Sequence, residues 1–139
     1  MPTEGSTTRV VCDASALVTV LLDSGDDGNW IAARLSGLEL FAPDLLPFEC
    51  ANIFRRHELS GLVSADQAAQ AHADLLDLPI DFFPYGTVAH RVWELRRNLT
   101  SYDAAYVALA ELVRAPLVTM DRRLLTAPGI ACVVEAPPR

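Results

Sequence analysis

Val10-Val11-Cys12-Asp13-Ala14-Ser15-Ala16-Leu17-Val18 is the stretch whose reading decides the fold. Val10, Val11 and Cys12 form a short apolar run suited to a strand buried on both faces. Asp13 ends the run. Ser15 then offers a hydroxyl that can cap a helix expected from Ala16 to Leu22. A strand that passes directly into a helix is the first half of a βαβ unit, and the rest of the chain repeats the pattern.

Asp23 to Gly28 reads as a loop, Trp30 to Leu35 as a short helix, and Leu38 to Ala42 as a second strand closed by Pro43. Apolar and small residues recur at helical spacing from Phe48 to Leu59, with Gly61 as the stop. Ser64 and Gln67 form a capping-box pattern that opens a helix to about Asp77. Pro79 breaks it, and Ile80 to Phe83 is the third expected strand. A helix follows from Thr87 to Arg97, with Val88, Val92, Trp93 and Leu95 mostly on one side. Ser101 can cap a helix from Tyr102 to Val113, where Ala105, Leu109 and Leu112 recur. Leu117 to Thr119 is a fourth strand running into Met120-Asp121, Arg122 to Leu125 a helical turn, and Ala131 to Val134 a fifth strand. Strands alternating with helices mean an α/β fold, a parallel sheet with helices on both faces. The expectation is one domain over residues 1–139, with a flexible tail at 1–8.

A chain of 139 residues that is 51% hydrophobic can bury a substantial core. Met1 to Thr8 lacks the basic and apolar character of a secretory leader, and no apolar run is long enough to span a bilayer. The expected setting is cytoplasmic, away from membranes. Three widely spaced cysteines, Cys12, Cys50 and Cys132, form no C-x-x-C pair and read as small buried hydrophobes. The formal charge is −7 and every base is an arginine. Such a balance excludes a general nucleic-acid coating protein, which needs basic surface. The absence of lysine also removes P-loop phosphate binding and Schiff-base chemistry.

Most acids sit in polar loops or on helix surfaces. Four do not. Asp13 ends the first strand; Glu49 lies among Phe48, Cys50 and Ala51; Asp103 lies in Y-D-A-A-Y-V-A-L-A; Asp121 follows L-V-T-M. Two therefore sit at C-terminal strand ends and two near helix N-termini, places that share the ligand-binding edge of an open parallel sheet. Helix capping accounts for any one of them. Four converging carboxylates are another matter, since two of them about 4 Å apart repel by about 4 kcal/mol at an effective dielectric near 20. Raised pKa values or cations must follow. Oxygen donors without His or Cys suit a hard ion, Mg²⁺ or Mn²⁺.

On the segments V-V-C-D-A-S-A-L-V, A-P-D-L-L-P-F-E-C-A-N-I-F, S-Y-D-A-A-Y-V-A-L-A-E and P-L-V-T-M-D-R-R-L, the chain resembles the PIN-domain ribonucleases, and among them toxins of VapC type. The resemblance runs from Val10 to Val134. It implies a three-layer α/β/α fold with a parallel five-stranded sheet and a Mg²⁺- or Mn²⁺-dependent endoribonuclease. It further implies Asp13 and Asp103 as principal metal ligands, Glu49 and Asp121 completing the pocket, and Ser15 and Thr119 as hydroxyls supporting the carboxylates. Arg122 and Arg123 are the arginine pair best placed for RNA phosphates, because they follow Asp121 directly. The implied partners are an RNA substrate, a second copy of the chain in a homodimer, and a cognate antitoxin of VapB type. A rival reading is a catalytically weak PIN module that works by binding RNA or antitoxin. A haloacid-dehalogenase-type phosphatase fails because Ser15 stands where its second aspartate belongs, and a dinucleotide-binding protein fails for want of G-x-G-x-x-G.

Overall fold

The structure, a computed structural model, describes residues 8–139. The central strand β1 (Arg9–Cys12) is followed by α1 (Ala14–Leu22), α2 (Asp26–Leu35) and β2 (Glu39–Pro43). Next come α3 (Leu46–Leu59), α4 (Ala65–Asp77), β3 (Ile80–Phe83), α5 (Tyr85–Glu94) and α6 (Ser101–Val113). The chain closes with β4 (Leu117–Val118), a 3-10 turn (Arg122–Thr126) and β5 (Val134–Glu135). All four strand pairings are parallel, in the order β3-β2-β1-β4-β5. β1 is covered on both faces, and Val10, Val11 and Cys12 are fully buried.

The strand order determines the layers. From β1 to β2 to β3 the chain moves in one direction, so right-handed crossovers place α1 to α4 on one face. It then doubles back past β1 to β4, which sends α5 and α6 to the other. The packing agrees: α1 meets α2, α3 and α4, whereas α6 meets α5 and lies on β1, β2 and β4. The result is the expected three-layer α/β/α sandwich. α6 approaches the sheet closely because Ala104, Ala105, Ala108 and Ala110 keep its face small, and all four are buried.

Several boundaries differ from the sequence reading. α1 begins at Ala14, capped by Asp13 rather than by Ser15, because no loop separates it from β1. α6 is capped by Thr100, whose hydroxyl accepts from the Asp103 N–H at 3.2 Å, so Ser101 is already helical. α2 starts at Asp26 inside the expected loop, its acidic first turn favoured by the helix dipole. α5 ends at Glu94, and Trp93 faces solvent beneath the Arg96 guanidinium, 4.6 Å from the ring centroid. Leu112 is likewise exposed. β5 begins at Val134, three residues later than expected, since the Ala131 N–H turns to Glu111 Oε2 at 2.7 Å.

The tail expected at 1–8 falls outside the described residues except for Thr8, whose carbonyl accepts from the Glu39 N–H at 2.7 Å. Among the described residues no helix is long and apolar enough to cross a membrane.

Gly28, in the first turn of α2, lets that helix press against the end of α1. A Cβ there would lie 1.9 Å from the Asp23 carbonyl oxygen, a backbone atom that cannot swing aside. Gly28→Ala is expected to cost about 1–3 kcal/mol in urea denaturation by forcing α1 and α2 apart.

Candidate active site

The reversal of strand direction between β1 and β4 leaves a crevice at their C-terminal ends, where open parallel sheets bind ligands. Register brings Cys12 beside Val118, so Asp13 leaves β1 where Thr119 leaves β4. The Asp13 N–H donates to the Val118 carbonyl at 3.2 Å and fixes this junction.

Asp13 is buried at 7% exposure, and its carboxylate is held on both oxygens. Oδ1 accepts from the Ser15 hydroxyl at 2.7 Å and from the Ala16 N–H at 3.0 Å. Oδ2 accepts from the Thr119 hydroxyl. Both hydroxyls also accept: Ser15 Oγ from the Met120 N–H at 3.1 Å, and Thr119 Oγ1 from the Asp121 N–H at 2.9 Å. Each hydroxyl thus spends its single proton on Asp13 while its lone pairs tie down the chain leading to Asp121. Ser15 and Thr119 orient one carboxylate and anchor the segment that carries another.

Glu49 lies in the first turn of α3, half-buried, and its Oε1 accepts from the Tyr106 hydroxyl at 2.6 Å. Tyr106 was not singled out from the sequence. The available signal is its place one turn after Asp103, with a buried phenol that needs a polar partner. Asp103 occupies the first turn of α6, and Asp121 caps the 3-10 turn. Asp121 alone has its own guanidinium: Arg123 donates to Oδ1 at 3.0 Å and to Oδ2 at 2.6 Å.

Electrostatic influence links the four acids one to the next. Burial raises the pKa of Asp13, Asp103 adds to it, and the three donors oppose it. Burial raises Glu49 as well, with Asp13 and Asp103 contributing and the Tyr106 bond opposing. Asp103 is raised by burial and by Asp121. Asp121 is lowered by its bonds to Arg123. Each acid therefore feels at least one other, in a chain from Glu49 through Asp13 and Asp103 to Asp121. The carboxylates are neighbours and not a closed shell: among the described residues no three His, Cys, Asp or Glu side chains already surround one point. An open cleft of about 380 Å³, lined by Thr100, Asp103, Asp121 and Arg123, lies against the cluster.

The donor set is all oxygen. Three of the acids have raised pKa values, the Arg123 guanidinium is bonded to the fourth, and Asp13 keeps a lone pair on Oδ2 beyond its three bonds. These residues fit a hard divalent cation. Other nucleophiles do not fit. Cys12 and Cys50 are buried and Cys132 partly so, with burial pushing Cys50 up to about 12 and Cys132 up to about 11. No histidine lines the two clefts that border Asp121. Arg122 donates to the Pro137 carbonyl at 2.7 Å, so both members of the Arg122-Arg123 pair are engaged within the chain.

Residues 10–129 match the PIN domain, and the chain belongs to the PIN-domain family. Within it, the similarity is to VapC ribonucleases. Ribonuclease VapC1 of Mycobacterium tuberculosis is 39% identical over 127 residues, covering 90% of this chain and 95% of the relative. Ribonuclease VapC9 of the same organism is 35% identical over 130 residues, covering 94% and 99%. Among solved structures, PAE2754 of Pyrobaculum aerophilum superposes with a TM-score of 0.65 at 25% identity, covering 91% of this chain and 83% of that one. M. tuberculosis VapC20 shares the fold, with a TM-score of 0.62 at 16% identity over 89% of this chain and 98% of its own.

The raised pKa of Glu49 has a sign that denaturation can read. A carboxyl whose folded pKa exceeds its unfolded value destabilises the native state once pH rises through the folded value, and not below the unfolded one. Glu49→Gln keeps an oxygen for Tyr106 and removes the charge. In EDTA it is expected to be more stable than wild type by about 0.5–1 kcal/mol at pH 8, half-exposure having weakened the repulsion. At pH 4 the advantage should vanish. An advantage that instead grows as pH falls would contradict the assignment.

Proposed function

We propose that this chain is an endoribonuclease, the toxin of a toxin–antitoxin pair, which hydrolyses RNA phosphodiester bonds with Mg²⁺ or Mn²⁺ held by Asp13, Asp103, Glu49 and Asp121. The observation that carries the site assignment is the buried Asp13 carboxylate, fixed by Ser15, Thr119 and the start of α1 at the crevice between β1 and β4. A carboxylate buried at such electrostatic cost is hard to explain as a helix cap alone, because a cap functions equally well in solvent.

Divalent ions at this site would supply charge relief on the phosphate and acidify the attacking water. The chain's own residues provide the geometry. Ser15 and Thr119 hold Asp13 in one rotamer, Tyr106 holds Glu49, and the bonds from the Thr119 hydroxyl to Asp13 and from the Met120 N–H to Ser15 tie the two strand ends together. Attack by water in line with the leaving oxygen gives products with 5′-phosphate and 3′-hydroxyl ends. Ser15 is no nucleophile, since its proton is committed to a carboxylate that it serves to orient.

The relatives' names support the ribonuclease, and their kind supports the partners: a VapB-type antitoxin and a homodimer, in a cytoplasmic setting that suits free cysteines. A second copy has apolar surface to meet, since Phe48, Tyr85 and Tyr102 are exposed at 81%, 59% and 64% around a hollow of about 480 Å³. Arg123 and Arg122 remain the proposed phosphate contacts at the edge of the site.

Purified protein is expected to cleave RNA in Mg²⁺ or Mn²⁺, to stop in excess EDTA, and to lose at least about a hundredfold in rate in Asp13→Asn. Cleavage that survives EDTA, or fragments ending in a 2′,3′-cyclic phosphate, would overturn the mechanism. Light scattering on the same preparation is expected to give twice the mass of one chain, and a monomer at working concentration would remove the homodimer.

A further inference from the structure

Arg123 is the one cation among the described residues that is bonded to an acid of the site, and its geometry is unusual for a phosphate contact. Its Nε and Nη2 grip both oxygens of Asp121, at 3.0 and 2.6 Å, and its backbone N–H adds a third bond to Oδ1 at 3.1 Å. Its positive charge also bears on Asp103. Yet the side chain is 85% exposed, and Asp121 and Arg123 together form the wall between two open clefts, of about 580 and 380 Å³. The guanidinium therefore has room to move to either side. An exposed ion pair of this kind contributes little to stability, so it is easily exchanged.

We infer that Arg123 is an internal counter-cation of the acidic site: it grips Asp121, and a divalent ion must displace its guanidinium to take both oxygens of that carboxylate. The inference rests on the metal-site reading above. Its physical basis is competition for the same oxygens. Asp121 Oδ1 accepts two bonds and Oδ2 one, which leaves a single lone pair on Oδ2, so a metal ion can take both oxygens only if the Arg123 fork lets go. Opposing +1 and +2 charges on one carboxylate add repulsion to the steric conflict. The arrangement explains why Asp121, uniquely among the four acids, has its pKa lowered. It also makes Arg123 a positioning residue, acting on the reaction through Asp121. Released, its guanidinium stands at the rim of the site.

The test is Mn²⁺ binding by calorimetry to the full chain in the absence of RNA, comparing wild type, Arg123→Gln, Arg123→Lys and Arg122→Gln. Arg123→Gln is expected to bind Mn²⁺ about two- to fivefold more tightly than wild type, the fold-change that corresponds to losing an exposed ion pair. Arg123→Lys, which keeps the charge without the fork, should fall between them. Arg122→Gln removes the same charge one residue away, from a guanidinium held by the Pro137 carbonyl, and should match wild type. In parallel, the Arg123 Nε–H resonance should move on addition of Mg²⁺ to the wild type. Equal tightening by Arg122→Gln would reduce the effect to net charge and overturn the inference, as would unchanged affinity in Arg123→Gln. Wild type that binds no Mn²⁺ would overturn the metal-site reading together with it.

Discussion

The parallel pairing of β1 with β4 is the contact on which the site depends. It joins segments more than a hundred residues apart, and it does so at the one place in the sheet where the winding reverses. Remove that pairing and Asp13 loses the Thr119 hydroxyl, and Ser15 loses the Met120 N–H. The pairing itself rests on burial: Val11, Cys12, Leu117 and Val118 are fully enclosed, and α6 covers them with a face of small residues. A larger side chain along Ala104, Ala105 or Ala108 would lift α6 off the sheet and carry Asp103 away with it.

Set against this scaffold is a cluster that costs stability. Three carboxyls carry raised pKa values, each for the same leading reason, removal from water. The fold offsets part of that cost in three ways. Asp13 caps α1, and Glu49 and Asp103 lie in the first turns of α3 and α6, so three helix dipoles favour negative charge there. Hydroxyls from Ser15, Thr119 and Tyr106 donate to carboxylate oxygens. Arg123 neutralises the fourth acid. The pKa values of three acids stay raised, so the compensation is partial, as is common where a functional site is held at the expense of stability.

Much of this was legible in the sequence because the relevant signals are local. A β-branched run ending in an acid marks a strand end; S-x-x-Q marks a capping box, which α4 opens with as expected. The four acids stood out since each interrupts an apolar pattern. The misplaced boundaries share a cause: tertiary contact overrode the nearest capping signal. Ser15 looked like a cap and is instead a ligand to the cap, because Asp13 performs both roles. Trp93 looked like core because its neighbours Val92 and Leu95 are, whereas the α5 face that packs on α6 stops short of it. Tyr106 was not legible as a site residue, and Arg123 read as a phosphate contact rather than as a partner of Asp121, for the bonds to Glu49 and Asp121 depend on side-chain placement that periodicity does not encode. The resemblance to VapC-type proteins supplied the reaction class and the partners, which no residue pattern alone would have named.

We propose that these four acids form one electrostatic unit that binds a divalent cation. Carboxyl-carbon NMR titration of the metal-free protein, repeated with Mg²⁺, reads it directly. Asp13, Glu49 and Asp103 should titrate above the ordinary carboxylate range of roughly 3.9–4.3 and Asp121 below it, with Mg²⁺ shifting all four resonances. Four independent titrations at ordinary values, indifferent to Mg²⁺, would contradict the account.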